Sequence, residues 1–321
     1  MIGDPHLRVG HLEQAKLLLE WIEQLVLTHQ PARIINLGDT LHTHAVVRTE
    51  VFDLLSSHII RLLSKWSGEY VLLVGNHDMV SNKIDVHPFR PLKLAGKRLK
   101  VVDKPTVLGT DLFLPYIHDP ASWQRSFDEH CDQVKRVFCH QTFLGARMGQ
   151  FYADDGVSVP DWDGQIVSGH VHTQQTLGCV WYPGTPYAQD ANDVGEVKGV
   201  HVIDGASREF FESPLPKWVS IEVSVEDCLE RIHHLASTDT NRVCLSGSSQ
   251  EIAALTASSE FKKLKAAIGF SLTRRVASEK SSRAIQATTV GTGISEYIDK
   301  IYSGAVPRDA LKRACEEVMN G

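Results

Sequence analysis

Carboxylate, amide and imidazole side chains recur in short motifs along the N-terminal part of the chain. The motifs are Gly3-Asp4-Pro5-His6, Gly38-Asp39, Gly75-Asn76-His77-Asp78, the isolated His140 and Gly169-His170-Val171-His172. Asp4 and His6 lie two residues apart, so in an extended chain both side chains point to the same side. The same holds for His170 and His172. One cation could therefore bind both Asp4 and His6.

Each motif alone has a simpler structural explanation. An Asp-x-His sequence is common in loops as a turn Asp beside a surface His, and His140 by itself would be a hydrogen-bonded core histidine. When the motifs are considered together, in a chain with 16 histidines, the interpretation as metal ligands is favoured. Mixed oxygen and nitrogen ligands suit Mn²⁺, Fe²⁺ or Zn²⁺ better than Mg²⁺ or Ca²⁺. With only two carboxylates, a pair of divalent ions would keep about two positive charges, which predicts binding and hydrolysis of a phosphate ester.

Strand-like apolar runs precede most of these motifs. The runs are residues 31–37, Tyr70–Val74, Arg136–Cys139 and Gln165–Ser168. Residues 11–29 and Val51–Trp66 instead place apolar side chains at a helical period. Alternating helices and strands indicate an α/β fold, in which loops beyond the carboxyl ends of the strands carry polar sites. The pattern therefore predicts one shared site.

A smaller second domain is predicted after the linker Ser213-Pro214-Leu215-Pro216. We place the first domain at residues 1–212 and a capping α+β module at residues 217–321. For the module the sequence predicts strands at 219–223 and 243–245, helices at 225–235 and 260–268, and two short helices within 294–319 divided at Pro307. The first strand is unusual, because only Met1-Ile2 precedes the first motif. Either that strand is truncated or the true start lies upstream.

Composition excludes several classes of protein. With 42% hydrophobic and 22% charged residues, the chain is typical of soluble globular proteins and not of disordered or fibrous ones. We find neither a secretory signal nor a membrane-spanning segment. Six irregularly spaced cysteines favour reduced, structural thiols over a disulfide or zinc framework. The net charge of −6 argues weakly against a nucleic-acid partner, but the acidic excess lies before residue 217.

The ordered motifs resemble those of the calcineurin-like metallophosphoesterase superfamily, over about residues 1–205. The resemblance implies a four-layer αββα sandwich that holds two divalent metal ions. It implies one ion bound by Asp4, His6 and His172, a second bound by Asn76, His140 and His170, and Asp39 as the bridging ligand. A metal-activated hydroxide would attack the phosphorus.

The same resemblance makes His77 the candidate general acid, which would protonate the leaving alkoxide. Asp78 would orient His77 and favour its charged form. A cap on the following turn is an equally weighted alternative for Asp78.

Three narrower segments are similar to the nuclease subunits of SbcCD-type DNA repair complexes. His42 lies three residues after Asp39, where those nucleases carry a histidine thought to contact the scissile phosphate. The segments Leu114-Pro115-Tyr116 and Tyr182-Pro183-Gly184-Thr185-Pro186 are also similar. Arg8 departs from the pattern, because a small residue often follows the Asp-x-His-Leu segment. The length is closer to bacteriophage versions than to cellular ones.

This narrower resemblance implies a Mn²⁺-dependent DNA exonuclease or endonuclease in the cytoplasm of a bacterium or a phage-infected cell. Its partners would be DNA, a coiled-coil ATPase of the SbcC type and, as an option, a second copy of the chain. The chain has no Gly-x-x-x-x-Gly-Lys-Ser/Thr phosphate loop, so any ATP dependence must come from another subunit. Apolar stripes in the last predicted helices could dock on that ATPase or pack on their own module.

Basic residues of the module give a further indication of DNA binding. They are Lys262, Lys263, Lys265, Arg274, Arg275, Lys280 and Arg283. We predict that Lys262, Lys263, Arg274 and Arg275 contact a phosphate backbone. The alternative, a solvated helix face, has nearly equal weight. The alternative function is a phosphodiesterase or phosphatase that acts on nucleotides or another small phosphoester with the same metal site.

Overall fold

The computed structural model describes residues 1–149, 151–205, 207–276 and 309–312. Its helices are α1 (Leu12–His29), α2 (Thr49–Lys65), α3 (Pro120–Asp128), α4 (Cys228–His233), α5 (Ser249–Ala257) and α6 (Ser259–Ile268). Its strands are β1 (Arg33–Asn36), β2 (Glu69–Leu73), β3 (Leu99–Val102), β4 (Thr106–Leu108), β5 (Asp111–Leu114), β6 (Arg136–His140), β7 (Arg147–Met148), β8 (Phe151–Tyr152), β9 (Gln165–Gly169), β10 (Gln175–Leu177), β11 (Val180–Tyr182), β12 (Gly199–Asp204), β13 (Ser207–Glu212), β14 (Trp218–Ser224), β15 (Thr240–Gly247) and β16 (Phe270–Val276).

The first sheet is parallel and has the strand order β1-β2-β3. Ile2 extends its edge, because its N–H donates to the carbonyl of Ile35 and its carbonyl accepts from Leu37, each over 2.9 Å. Helices α1 and α2 cover the outer face. Their apolar stripes are buried there, as Leu18 and Leu55 show. The helices predicted at 11–29 and 51–66 are thereby confirmed.

The second sheet is mixed and has the order β10-β11-β9-β6-β5-β4. Its inner strands β5, β6, β9 and β11 run parallel, and the edge strands β4 and β10 are antiparallel to their neighbours. Helix α3 packs on its outer face through Trp123 and Phe127. These two rings stack with centroids 5.4 Å apart.

The inner faces of the two sheets form a separate apolar core. The first sheet and its loops contribute Leu37, Val71, Leu73 and Val102, and the second contributes Phe113, Phe138, Val167 and Trp181. Every one of these side chains is no more than 2% exposed. Helices, sheet, sheet and helix thus stack in four layers, which confirms the predicted αββα sandwich.

Residues after the β12–β13 hairpin build a separate C-terminal core. Strands β14, β15 and β16 form a parallel sheet, and α4, α5 and α6 pack on it through side chains such as Ile232, Ile252 and Phe261. Members of this core lie between residues 221 and 272. The division into domains at 212 and 217 stays a prediction. Of the predicted terminal helices, only the helical residues 309–312 lie within the described chain.

Thiols and membrane segments can be assessed only over the described residues. Cys131, Cys139, Cys179, Cys228 and Cys244 are all free thiols, and Cys315 lies outside the described part. None of the helices that the structure describes is long and apolar enough to cross a membrane.

Candidate metal centre

The predicted ligands meet where strands of the two sheets end. Asp39 and Asn76 follow β1 and β2 of the first sheet, whereas His140 ends β6 and His170 follows β9 of the second. Nε2 of His140 lies 3.2 Å from Oδ2 of Asp39, so side chains from both sheets share one site. Loops at the carboxyl ends of parallel strands bring them together, as the sequence pattern predicted.

The first cluster contains Asp4, His6 and His172, with one donor atom of each within 4.8 Å of the others. Nε2 of His6 lies 3.1 Å from Nε2 of His172. Two nitrogens bound to one ion at about 2.1 Å would lie about 3.0–3.4 Å apart. The Oδ1 atom of Asp4 accepts from the N–H of His170, but its Oδ2 is buried and has no hydrogen-bond partner among the described residues. A cation would satisfy that oxygen.

The second cluster contains Asp39, His140 and His170. Asn76 belongs to it as well, because its Oδ1 lies 3.1 Å from Nε2 of His140 and 2.8 Å from Nδ1 of His170. Oδ2 of Asp39 is also 3.7 Å from Nε2 of His6. Asp39 therefore lies between the two clusters, where a bridging carboxylate has to be.

Hydrogen bonds to the surrounding loops orient the side chains of His140 and Asp39 in the second cluster. Nδ1 of His140 donates to the carbonyl of Leu37 over 2.8 Å, which leaves its Nε2 directed at Asp39. Oδ1 of Asp39 accepts from the backbone N–H of His77, also over 2.8 Å, which leaves Oδ2 for the cluster. Such outer hydrogen bonds fix ligand tautomers and ring orientation in metal sites.

Backbone strain is concentrated at the candidate ligands. Among the described residues, six that are not glycine have positive φ, and four of them are Asp4 (33°), His6 (44°), Asp39 (47°) and His170 (79°). This left-handed conformation costs free energy for residues with a Cβ and persists where the surrounding structure imposes it. The fold therefore holds these side chains in a geometry that the local chain does not prefer.

Glycines beside the ligands allow the loops to approach closely. A Cβ at Gly75 would lie 2.2 Å from both N and Oδ1 of Asp39. One at Gly38, whose φ is +103°, would lie 2.7 Å from Nδ1 of His140. Both contacts are far too short, so the glycine of each motif is needed where two ligand loops touch.

Burial and mutual charge perturb the ligands strongly. Burial, followed by the charge of His140, lowers the pKa of His170 to about 3, and burial likewise lowers the pKa of His6. Burial alone would lower the pKa of His140, but the Asp39 carboxylate raises it to about 9. Burial would raise the pKa of Asp39, but His140 holds it well below its usual range. Neutral His6 and His170 and ionised Asp39 are the forms that bind metal, whereas His140 has to lose the proton that Asp39 stabilises when an ion binds.

The two candidate catalytic histidines lie beside the first cluster. The rings of His42 and His77 stack, 5.8 Å apart and within 15° of parallel, and His77 lies 4.8 Å from the ring of His6. Nδ1 of His77 donates to the carbonyl of His42 over 2.7 Å. The other ring nitrogen, Nε2, is then the atom available for proton transfer.

Asp78 requires a correction. Its two oxygens accept from the backbone N–H groups of Leu41 and Gly75, over 2.8 and 2.9 Å, and the carbonyl of His42 orients His77 instead. Burial, followed by the charge of Asp39, raises the pKa of Asp78 to about 7. Asp78 thus ties together the loops that carry Asp39 and Asn76, which is close to the turn-capping alternative.

Sequence reasoning missed a buried network behind the first cluster. Nζ of Lys198 lies 2.6 Å from Asp193 and 2.8 Å from Glu196, and donates to the carbonyl of His172. Nε2 of Gln189 donates to the carbonyl of Asp4. The segment between β11 and β12 therefore fixes two ligand loops. No local sequence motif predicts these contacts.

The four residues predicted to bind DNA do not all share one face. Lys262 and Lys263 are exposed on α6, and Arg274 and Arg275 are exposed on the edge strand β16. Adjacent strand residues point to opposite faces of a sheet. Arg275 also pairs with Glu222 over 3.2 Å, which reduces its free charge. Lys280 and Arg283 lie outside the described residues.

Two neighbouring clusters of carboxylate and imidazole ligands, on a four-layer sandwich, define the class of metal-dependent phosphoesterases. The sequence profile of calcineurin-like phosphoesterases matches residues 1–200. The chain therefore belongs to the calcineurin-like phosphoesterase family, whose members use divalent metals.

Two viral proteins are among the relatives of this chain. Protein 244L of Invertebrate iridescent virus 6, named as an inferred phosphoesterase, is 28% identical over 251 residues, which cover 70% of this chain and 85% of the viral protein. Protein 078R of Invertebrate iridescent virus 3, with the same kind of name, is 25% identical over 320 residues, covering 93% of this chain and 89% of the relative. Their names support phosphoester hydrolysis without naming a substrate.

Proposed function

We propose that this phosphoesterase hydrolyses phosphodiesters of DNA and is the nuclease subunit of an SbcCD-type complex. The stacked pair His42 and His77 beside the first cluster is the observation that carries the proposal. A diester has a poor alkoxide leaving group and needs a proton donor. A second imidazole outside both ligand clusters can contact a nonbridging phosphate oxygen.

The ligand assignment is part of this proposal. Asp4, His6 and His172 would hold one divalent ion, Asn76, His140 and His170 the other, and Asp39 both. Bound there, the ions would supply Lewis acidity and lower the pKa of a water molecule. We propose Mn²⁺ because the donors mix carboxylate, amide and imidazole.

The protein's own groups account for the remaining chemistry. Nε2 of His77 would donate its proton to the leaving oxygen, while the hydrogen bond from Nδ1 to His42 keeps the ring aligned. The ring of His42 lies next to the first cluster, with its Nδ1 3.4 Å from Nδ1 of His6. A phosphate bound at the cluster would therefore be within reach of both histidines.

Partners and location also belong to the proposal. An SbcC-type ATPase would supply ATP hydrolysis, DNA would be the substrate, and a second copy of the chain could complete the complex. The location would be the cytoplasm of a bacterium or of a phage-infected cell. The exposed basic side chains of α6 and β16 support contact with DNA.

A small phosphoester is the second candidate substrate. Two observations favour it over DNA. The chain carries a net charge of −6, and the basic residues of β16 project from opposite faces of their sheet. A nucleotide or similar phosphoester would need only the metal site and its two histidines. The metal ligands would be the same for both candidates.

Degradation of DNA and hydrolysis of nucleotides by one protein preparation separate the candidates. Full-length protein with Mn²⁺ is incubated with linear single- and double-stranded DNA, with and without an SbcC-type ATPase, and in parallel with mononucleotides and cyclic nucleotides. Asp39→Asn, prepared identically, controls for contaminating nucleases. We expect DNA to be degraded by the wild-type protein only. Rapid hydrolysis of nucleotides without any cleavage of DNA would overturn the proposal in favour of the alternative.

A further inference from the structure

A cationic cleft of about 310 Å³ lies beside His42. Arg8 and Arg48 contribute to its walls, and Val9, Val46 and Val51 supply an apolar surface. Within the part of the chain that the structure describes, no carboxylate lines it. A cleft with this lining suits an anion that carries an apolar group.

Arg8 is the main source of positive charge. Its Nη2 donates to the carbonyl of Gln189 over 2.8 Å and lies 3.2 Å from Nδ1 of His11, whereas its Nε is buried and has no hydrogen-bond partner among the described residues. Arg8 forms no ion pair with any carboxylate among residues 1–149, 151–205, 207–276 and 309–312. A guanidinium with an unused donor is suited to bind phosphate oxygens.

The cleft lies next to the first residues of two helices. Helix α1 begins after His11 and α2 begins after Arg48, and neither has a side chain that caps its first N–H groups. The cleft is lined by Val9 and Gly10 just before α1 and by Arg48 and Val51 at the start of α2. The positive end of a helix dipole favours an anion at such a position.

Backbone pairing places the cleft next to the metal centre. The N–H of Leu7 donates to Thr40, and the N–H of His42 donates to the carbonyl of Leu7, so Arg8 follows directly on a segment paired with the His42 loop. Nδ1 of His42 lies 3.4 Å from Nδ1 of the candidate ligand His6. A group in the cleft would therefore adjoin a phosphate held at the first cluster.

We propose that this cleft is a subsite for a second phosphate of the substrate, next to the scissile one, with Arg8 as its principal contact. The subsite rests on the proposed phosphodiester hydrolysis for the identity of the first phosphate. Arg48 contributes less, because it pairs with Glu50 over 3.1 Å. The second phosphate could belong to the next linkage of a polynucleotide or to the diphosphate of a small nucleotide, and both present the same oxygens.

Substrates with one and two phosphates test the subsite. The rates kcat/KM are measured for the dinucleotide TpT and its 5′-phosphorylated form pTpT, and for the p-nitrophenyl esters of thymidine mono- and diphosphate. Arg8→Gln removes the charge, Arg8→Lys retains it, and Arg125→Gln on the distant α3 is the matched control. One charge-assisted contact corresponds to about 10- to 100-fold. We expect Arg8→Gln to lose that factor on a two-phosphate substrate only, and Arg8→Lys to recover part of it.

The pattern of losses identifies the source of the second phosphate. A loss confined to pTpT supports a polynucleotide, and a loss confined to the diphosphate ester supports a small nucleotide. Equal rates of the wild-type protein on one- and two-phosphate substrates, or equal losses of Arg8→Gln on all four, would overturn the subsite.

A measurement of binding tests the subsite separately from the proposed hydrolysis. Fluorescence anisotropy with dye-labelled TpT and pTpT measures affinity without turnover. Tighter binding of pTpT that Arg8→Gln abolishes would support the subsite even if no ester were hydrolysed. Failure to hydrolyse bis(p-nitrophenyl) phosphate, which has a single phosphate, would count against the proposed function alone.

Discussion

At the scale of single residues, the site depends on atoms that hydrogen bonds leave free. Nε2 of His140 and Oδ2 of Asp39 face the second cluster because their other polar atoms are engaged by Leu37 and by the N–H of His77. The identity of the candidate ligands could be predicted from the motifs. These hydrogen bonds could not, since their partners come from loops distant in the sequence.

Replacement of His77 tests its role as proton donor. His77→Asn removes the imidazole but keeps the backbone N–H that donates to Asp39, so metal content should persist. We expect turnover of alkyl phosphodiesters to fall by about 10²–10⁴-fold. The fall should be smaller for p-nitrophenyl esters, because p-nitrophenolate leaves without a proton. Equal losses on good and poor leaving groups would rule out the acid role.

At the scale of elements, the strands that end in ligands could be predicted and their neighbours could not. β1, β2, β6 and β9 each combine an apolar run with a closing motif, whereas β3, β4 and β16 end without one. Sheet order depends on contacts between distant segments, which no local pattern encodes. If β16 had been recognised, the period of two along a strand would have separated Arg274 from Arg275.

The segment between β11 and β12 offers a test of stability. Lys198→Met leaves the buried carboxylate of Asp193 unpaired, and loss of one partner of a buried ion pair costs about 3–5 kcal/mol. We expect a loss of this size in the free energy of unfolding measured in urea. Lys217→Met, which breaks the exposed pair with Glu212, is the control and should cost less than about 1 kcal/mol. Similar losses for the two variants would contradict the structural role of Lys198.

At the scale of the whole molecule, the sheets that carry the metal centre and the C-terminal sheet pack in different apolar cores. Leu215 is buried in the core that α1 and α2 form with the first sheet, whereas the C-terminal core is built from residues 221–272. Local patterns predicted strands and helices on both sides of residues 213–216, whereas the division into two domains there stays a prediction. Docking of an ATPase on the apolar stripes of the last predicted helices stays a prediction, since most of these stripes lie outside the described residues.

Truncation after Pro216 tests whether the C-terminal unit serves DNA. We expect residues 1–216 to hydrolyse bis(p-nitrophenyl) phosphate at a near wild-type rate but to lose degradation of DNA. In the full chain, replacing Lys262, Lys263 and Arg274 by Ala should lower DNA affinity and flatten its salt dependence by about 0.9 in slope per lost phosphate contact. Arg275→Ala should have a smaller effect, because Arg275 pairs with Glu222. Unchanged DNA degradation by the truncated protein would refute this role of the unit.

Metal reconstitution tests the central claim most directly. Full-length protein is stripped with a chelator, and Mn²⁺ is titrated back while bound metal and hydrolysis of bis(p-nitrophenyl) phosphate are followed together. Because Asp39 lies between two clusters, we expect hydrolysis to vanish in chelator, to return as about two ions bind per chain, and to stay absent in Asp39→Ala. Full hydrolysis in excess chelator, or an active Asp39→Ala protein, would contradict the two-metal site.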